Sequence, residues 1–253
     1  MGSTNFKNMF KNGLYPKIPD AVNLILCPFA GGSSSSFQNW FNYDFDDINF
    51  FLATYPGREH RMRESFATDI NQLANDIISN IYNYNLDLEN TILVGHSMGA
   101  QVAYETCLLL EKNNTPPAGI VISACHAPHL EGRRILSHLD DDEFIKQLIE
   151  IGGLSQELSE EKKLLNFFLP MLRSDFNITE SYHNSISSIT HKLTTPSLLM
   201  YGSSDNEVSK KEVSLWSEWL CKSSEPVQLS GGHFYITQDP QAFVNEINLY
   251  FRK

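Results

Sequence analysis

Short apolar runs alternate with longer amphipathic stretches through the first half of the chain. The apolar runs have the length of buried β-strands; they cover residues 22–27, 48–54, 91–94 and 119–124. Apolar residues recur every three or four positions over 70–81, as on one face of a helix. A second helical stretch follows residue 97 and ends near Asn113-Asn114. This alternation predicts an α/β fold, with a doubly wound, mostly parallel sheet flanked by helices.

The alternation stops after residue 124, and the patterns between 126 and 191 are helical only. One helix is predicted to start at the acidic run 140–143 and to end at Gly152-Gly153, and further helical segments cover 160–168 and 175–181, on either side of Pro170. Ligands of such sheets bind at the carboxyl ends of the strands. An insertion placed there is interpreted as a lid. We therefore expect a single domain, 1–253, with a helical lid at 126–191.

Strand patterns return in the last quarter of the chain. Residues 196–201 and 225–229 are predicted strands, and 210–220 is predicted to be a helix between them. A closing helix is predicted to begin at Asp239-Pro240, because Asp caps helix N-termini and Pro suits the first helical position. The sheet is thus predicted to resume after the lid.

Composition and charge exclude several classes of protein. The formal net charge of −11 argues against general binding to nucleic acid or to an anionic membrane. No signal peptide or membrane-spanning segment is recognised, and the four cysteines are spread without a C-x-x-C pair. We expect a cytoplasmic protein without disulfides, metal or cofactor. The densest basic cluster, residues 58–63, is interpreted as a solvated loop.

Residues 95–99, Gly-His-Ser-Met-Gly, match the G-x-S-x-G nucleophile elbow of serine hydrolases. This pattern is weak by itself, but here a predicted strand precedes it and a predicted helix follows. In such an elbow a strained turn exposes the hydroxyl of Ser97, and the flanking glycines avoid steric collisions. Ser97 is therefore the predicted nucleophile, and His96 is expected to shape the turn.

A serine nucleophile needs a general base and an acid that orients it, and with this elbow they follow in the order Ser, Asp or Glu, His. Of the eight histidines, only His233 lies beyond the last predicted strand. Asp205 follows the predicted strand 196–201, with Glu207 as the alternative acid. Ser97, Asp205 and His233 form the predicted catalytic triad.

The oxyanion of the tetrahedral intermediate needs two hydrogen-bond donors. The backbone N–H of Met98, at the start of the helix after the elbow, is the first candidate. The second is expected in the loop after strand 22–27, at Phe29-Ala30-Gly31, where Ala30 is chosen.

Several motifs together resemble type II thioesterases, free-standing α/β-hydrolases that accompany nonribosomal peptide and polyketide synthases. The resemblance runs from about residue 22 to 251. It is carried by Pro28-Phe-Ala-Gly-Gly32, Tyr55-Pro-Gly-Arg-Glu59, the elbow, Leu169-Pro-Met-Leu-Arg-Ser-Asp-Phe176 with Tyr182, and Gly231-Gly-His-Phe234. The segment ending at Phe176 is the most specific of these, because esterases at large do not share it.

The resemblance implies the substrate: an acyl or aminoacyl group on the phosphopantetheine arm of a carrier protein domain. Such an enzyme unloads misprimed synthases through a Ser97 acyl-enzyme. The phosphopantetheine arm belongs to the carrier protein and is not a cofactor of the enzyme. We expect a monomer that binds carrier proteins through a local basic contact, either Arg58, Arg61 and Arg63 or Arg133 and Arg134. A general serine carboxylesterase and an acyltransferase are the alternative functions, and a non-catalytic binding protein would be expected to lack a triad residue.

Overall fold

A seven-stranded sheet forms the centre of the protein in the computed structural model, which describes residues 10–12, 18, 20–45, 47–185 and 191–252. The strands are β1 (Phe10–Asn12), β2 (Val22–Cys27), β3 (Ile48–Ala53), β4 (Thr91–His96), β5 (Gly119–Ser123), β6 (Ser197–Gly202) and β7 (Val227–Leu229). Their order across the sheet is β1-β3-β2-β4-β5-β6-β7. Only β1 pairs antiparallel among these strands, and the others are parallel. The predicted α/β class with a mostly parallel sheet is confirmed.

Helices lie on both sides of this sheet and above its carboxyl edge. They are α1 (Ile70–Asn83), α2 (Met98–Lys112), α3 (Asp141–Ile151), α4 (Gln156–Glu160), α5 (Lys162–Ser185), α6 (Lys210–Ser214), α7 (Tyr235–Gln238) and α8 (Pro240–Phe251). Shorter 3₁₀ helices cover Ser34–Asn42, Glu59–Arg61, Leu88–Asn90 and Leu215–Glu218. None of the helices in the described ranges is both long and apolar enough to cross a bilayer.

The central strands are continuous apolar runs because both faces of the sheet are covered. Every residue of β4, β5 and β6 is buried, which is typical of parallel sheets with helices on either side. The predicted strand positions are therefore confirmed to within a few residues. The predicted cap at Asp239 forms, because its side chain accepts the N–H of Ala242 at the start of α8. Helix α3 begins at the predicted acidic run, where Asp140 accepts the N–H of Glu143.

Two elements lack a clear pattern in the sequence, and a third differs in length from its prediction. Strand β1 is three residues long and lies at the sheet edge. The Ser-rich stretch forms a 3₁₀ helix because Phe37 and Trp40 are buried from it and Ser33 and Ser36 close a capping box. Helix 210–220 is shorter than predicted; it turns into a 3₁₀ helix where Trp216 is buried and its indole N–H donates to the carbonyl of Cys125.

Helices α3 to α5 lie between β5 and β6, where the lid is predicted, although residues 186–190 of that prediction lie outside the described residues. Helix α5 runs through Pro170 without interruption, whereas the sequence predicts two segments. A proline inside a helix removes one hydrogen bond. The helix continues because residues are buried on both sides of Pro170: Leu165 and Leu169 before it, Ile178 and Tyr182 after it.

Candidate active site

Ser97 occupies a strained turn between β4 and α2. Its φ of 54° and ψ of −122° lie outside the regions that non-glycine residues favour. A Cβ on Gly95 would come within 2.3 Å of the carbonyl oxygen of Gly99, and one on Gly99 within 2.0 Å of the carbonyl oxygen of Cys27. Glycine is therefore required at both positions, and the elbow conformation expected from the sequence is found.

Asp205 and His233 come together at the carboxyl edge of the sheet, after β6 and β7. His233 Nδ1 lies 2.9 Å from Asp205 Oδ2, and the other oxygen of Asp205 accepts the N–H groups of Glu207 and Val208. Burial raises the pKa of Asp205, but the hydrogen bond and charge of His233 and the two backbone donors outweigh it. The pKa of Asp205 consequently lies below its ordinary value, and the carboxylate stays ionised.

The alternative acid, Glu207, is engaged elsewhere. Its carboxylate forms an ion pair with Arg134 at 3.2 Å. The structure therefore places Asp205, rather than Glu207, against His233. Because Asp205 accepts the hydrogen bond at Nδ1, the Nε2 atom of His233 is left to act on a substrate or on Ser97.

Ser97 and His233 line the same cavity, which has a volume of about 240 Å³. No hydrogen bond joins the hydroxyl of Ser97 to His233 within the ranges that the structure describes. Such contacts are often long without substrate and shorten in the reacting complex. The geometry thus brings the predicted nucleophile and base to one cavity, with the acid behind the base.

His96 links the elbow to the loop that carries His233. Its Nδ1 lies 2.8 Å from Ser123 Oγ, and its Nε2 lies 2.8 Å from the carbonyl oxygen of His233. Burial, followed by the charge of His233, lowers the pKa of His96 to about 3, so its ring is neutral. One ring N–H then donates to the His233 carbonyl. His96 therefore holds the base loop as well as shaping the elbow, a link between two distant segments that the sequence does not reveal.

The loop after β2 approaches the elbow from the other side. Phe29 and Ala30 line the cavity together with Ser97 and Met98. The N–H of Gly31 donates to Asp175, and that of Gly32 donates to the carbonyl of Phe29. Neither Ala30 nor Met98 donates its N–H to another group in the described part of the chain. Both predicted oxyanion donors are thus unused by neighbouring protein groups.

Comparison with known proteins identifies the family of this site. Residues 22–249 match the model of the thioesterase domain. The chain is 40% identical over 226 residues to the probable anguibactin biosynthesis thioesterase AngT of Vibrio anguillarum, covering 89% of this chain and 90% of AngT. The chain belongs to the thioesterase family.

Further relatives of this thioesterase agree with that family. The structure of YbtT, a type II thioesterase from the yersiniabactin biosynthetic pathway, matches with a TM-score of 0.89 and 43% identity, over 96% of this chain and 98% of YbtT. The human medium-chain S-acyl fatty acid synthase thioesterase is 29% identical, over 92% of this chain and 87% of its own. The resemblance to type II thioesterases and the expectation of a hydrolase are confirmed.

The basic cluster of the thioesterase at residues 58–63 is not the solvated loop that its sequence suggests. Arg58 is 6% exposed and forms a fork with Asp175, at 2.8 and 2.7 Å. Arg61 is 3% exposed and pairs with Glu64 and Asp76. That interpretation is wrong for Arg58 and Arg61, because Asp175 and Asp76, which lie on helices further along the chain, help to neutralise them. His60 and Arg63 of the same cluster are exposed.

Two further histidines line the cavity opposite the elbow. The rings of His126 and His183 stack with centroids 4.0 Å apart. Burial lowers their pKa values to about 4 and about 3, and the coulombic effect of His126 lowers that of His183 further. These two residues are neutral near pH 7 and form part of the cavity wall.

No group of residues suited to binding a metal occurs among the described His, Cys, Asp and Glu side chains. Cys27, Cys107 and Cys125 are buried and Cys221 is exposed, all of them as free thiols. Burial raises the pKa of Cys107 and that of Cys125 to about 12. These two residues are therefore protonated packing groups and not nucleophiles.

Proposed function

We propose that this protein is a type II thioesterase that hydrolyses acyl or aminoacyl thioesters on the phosphopantetheine arm of synthase carrier domains. The observation that carries the proposal is the His233–Asp205 pair beside the strained Ser97, in a chain 43% identical to a type II thioesterase. Unloading of misprimed or stalled carriers is the corresponding role.

Ser97 Oγ attacks the thioester carbonyl while His233 takes the hydroxyl proton, and Asp205 stabilises the imidazolium that results. The tetrahedral intermediate collapses, the C–S bond breaks, and His233 returns the proton to the departing thiol. In the second half-reaction His233 takes a proton from water, which attacks the acyl-enzyme. The carboxylic acid leaves and the proton returns to Ser97. No cofactor takes part in these steps.

The N–H groups of Met98 and Ala30 stabilise the oxyanion of both tetrahedral intermediates. Met98 is the first residue of α2, where the helix dipole adds positive potential. A donor of this kind contributes about 10²–10³-fold to turnover. Both donors are backbone groups, so side-chain substitutions at these positions do not test them.

Carrier proteins are the proposed partners. Because Arg58 and Arg61 are buried, Arg133 and Arg134 are the better candidates for the basic contact with them. Arg133 and Arg134 line the mouth of the cavity. Arg133 pairs with Glu212, and Arg134 pairs with Glu207 and Glu150, so a carrier would compete with these acids. Docking there would let the arm enter the cavity directly. The monomeric state and the cytoplasmic location stay predictions from the sequence.

Mass spectrometry of carrier proteins loaded with short acyl groups tests the function. Wild-type enzyme is expected to unload them rapidly, while Ser97→Ala loses activity by about 10⁴–10⁶-fold. Ser79→Ala, at an exposed serine of α1, is the matched control. Unloading that persists in Ser97→Ala would refute the mechanism, and a preference for nitrophenyl esters over carrier thioesters would favour a general esterase.

In the same assay, the double variant Arg133→Ala and Arg134→Ala should raise KM for the carrier substrate and leave the KM for small thioesters unchanged.

A further inference from the structure

The oxyanion loop is a tight turn whose central peptide is held by the lid. In the turn Phe29-Ala30-Gly31-Gly32, the N–H of Gly32 donates to the carbonyl of Phe29 at 2.8 Å, and Gly31 has a φ of +77°. A positive φ at the third residue is the mark of a type II turn. Type I and type II turns differ by a flip of the central peptide, so some contact has to select one of them.

That contact is Asp175, from the middle of α5. Its Oδ2 accepts the N–H of Gly31, which belongs to the central peptide of the turn, at 2.8 Å. Flipping this peptide would turn the N–H away and present a carbonyl oxygen to a buried carboxylate. The turn is therefore held in the type II form by a charge on the lid helix.

Arg58 completes the arrangement. Its guanidinium binds both oxygens of Asp175 and also donates to the carbonyl oxygen of Gly32 at 2.9 Å. The Arg58 side chain is 6% exposed and that of Asp175 is 4% exposed. One ion pair therefore holds a donor and an acceptor of the same turn.

The neighbouring residues fasten the loop on either side of this turn. The hydroxyl of Tyr55 donates to the carbonyl of Pro28, and Glu59 accepts from the hydroxyl of Ser34 and the N–H of Ser35. On the lid side, a Cβ on Gly31 would lie 2.4 Å from Leu172 Cδ2, so α5 packs directly on the loop. The Tyr55–Glu59 segment and α5 thus enclose the turn from opposite sides.

We propose that Asp175 and Arg58 are positioning residues for the oxyanion hole, and that through them the hole is formed only when α5 is docked on the body. This inference rests on the proposed function, in which the N–H of Ala30 is the second oxyanion donor. Ala30 N–H and Phe29 C=O are opposite edges of one peptide, and the turn geometry sets its direction. A buried ion pair often adds little stability compared with apolar residues of the same shape. Here the Arg58–Asp175 pair binds the N–H of Gly31 and the carbonyl oxygen of Gly32, and so fixes the turn that orients the N–H of Ala30.

Two inhibitors with the same acyl chain separate positioning from general binding. A trifluoromethyl ketone analogue of an acyl-pantetheine reacts with Ser97: the hydroxyl oxygen adds to the ketone, the proton passes to His233, and the hemiketal oxyanion occupies the hole. The matching thioether has no carbonyl at that position and fills the same cavity without forming an oxyanion. The ratio of the two affinities therefore reports the oxyanion hole.

In Asp175→Asn the amide can still accept from Gly31, but its NH₂ group opposes the donors of Arg58. We expect the affinity for the ketone and kcat to fall about 10–100-fold, less than the about 10²–10³-fold that complete loss of an oxyanion donor costs, because the Ala30 N–H is misaligned and not removed. Thioether affinity should change less than about threefold. Arg58→Lys retains the charge without the fork and should give an intermediate loss. Asp141→Asn breaks the exposed Arg173–Asp141 pair, which involves the same helix, and is the matched control.

Equal weakening of both inhibitors in Asp175→Asn would overturn the proposal, since the pair would then maintain only the cavity. No weakening of either would overturn it as well. If Asp175→Asn fails to fold by circular dichroism, the ketone-to-thioether ratio of Arg58→Lys decides in the same way. If the ketone does not bind the wild-type enzyme through Ser97, the proposed function itself fails, so the two failures are distinguishable.

Discussion

The two halves of helix α5 face very different surroundings. From Asp175 to His183 the helix is attached to the body: Tyr182 donates to Glu105 at 2.8 Å, and Thr179 donates to Gln101 at 2.7 Å. Ile178 and Tyr182 belong to the main hydrophobic core. This half is therefore bound to the sheet and α2 by both polar and apolar contacts.

Before Pro170 the buried residues of the same helix pack against α3. Leu165 and Leu169 pack with Phe144 and Leu148 in a small cluster that is separate from the main core. Phe167 on this half is 62% exposed. The boundary between the halves lies beside the oxyanion loop, where Leu172 is close to Gly31 and Asp175 accepts the N–H of Gly31.

This difference shows how one helix can combine a fixed site with a variable cover. Regions with few buried apolar contacts open at lower free energy than the core. We therefore expect the outer half of the predicted lid to change shape around different acyl groups while the turn at Ala30 stays in place. The predictions below test whether the two regions are separate in this way.

The largest effect is expected from truncating the two cores. Leu93→Ala, in β4, should lower the global free energy of unfolding by about 2–5 kcal/mol. Phe144→Ala removes a larger side chain from the lid cluster, yet it should mainly speed hydrogen exchange in α3 and in the first half of α5. Denaturant unfolding with exchange mass spectrometry measures both. A global loss in Phe144→Ala equal to that in Leu93→Ala would contradict the separation.

A smaller effect is expected at the junction between α5 and α2. Tyr182→Phe removes the hydroxyl group that donates to buried Glu105, so it should lower the free energy of unfolding by about 1–3 kcal/mol. Burial raises the pKa of Glu105, and losing the Tyr182 donor should raise it further. Tyr82→Phe, at a half-exposed tyrosine of α1, should stay within about 0.5 kcal/mol. If Tyr182→Phe left the free energy of unfolding unchanged, the hydrogen bond between α5 and Glu105 would not contribute to stability.

The smallest effect is the loss of folding stability as the pH falls. His126 and His183 are neutral in the folded protein down to about pH 4 and about pH 3, whereas an unfolded histidine binds a proton below about pH 6.5. The unfolded state therefore gains protons first as the pH falls, and folding is destabilised between these values. Each histidine should contribute about 1 kcal/mol of lost stability from about pH 7.5 to about pH 5.5.

Thermal unfolding at several pH values measures this loss. His126→Asn should flatten the decline of Tm toward acid, and His60→Asn, at an exposed histidine, should leave it as in the wild type. A decline that is equally steep in His126→Asn would show that the stacked pair His126–His183 is not sensitive to protonation.

Prediction from the sequence succeeds where one local pattern decides. The β4–elbow–α2 unit is recognisable because an apolar run, two glycines and a helical period lie within about twenty residues of each other. Asp205 and His233 can be predicted because parallel strands end at one edge, so a residue just past a strand end is near the site. The sequence predicts two helical segments around Pro170, whereas one helix forms, because packing from other segments overrides the local preference there.

The sequence by itself determined the order of strands and helices, the elbow, the candidates for the triad and the family, since hydrophobic period, glycine sterics and motif spacing are local properties. Only the tertiary structure decided the partners of charged groups. In the sequence, Arg58 cannot be distinguished from a solvated arginine, because its partner Asp175 lies 117 positions further along the chain. Ion pairing depends on distance in space, and no local pattern records which segment will supply the opposite charge.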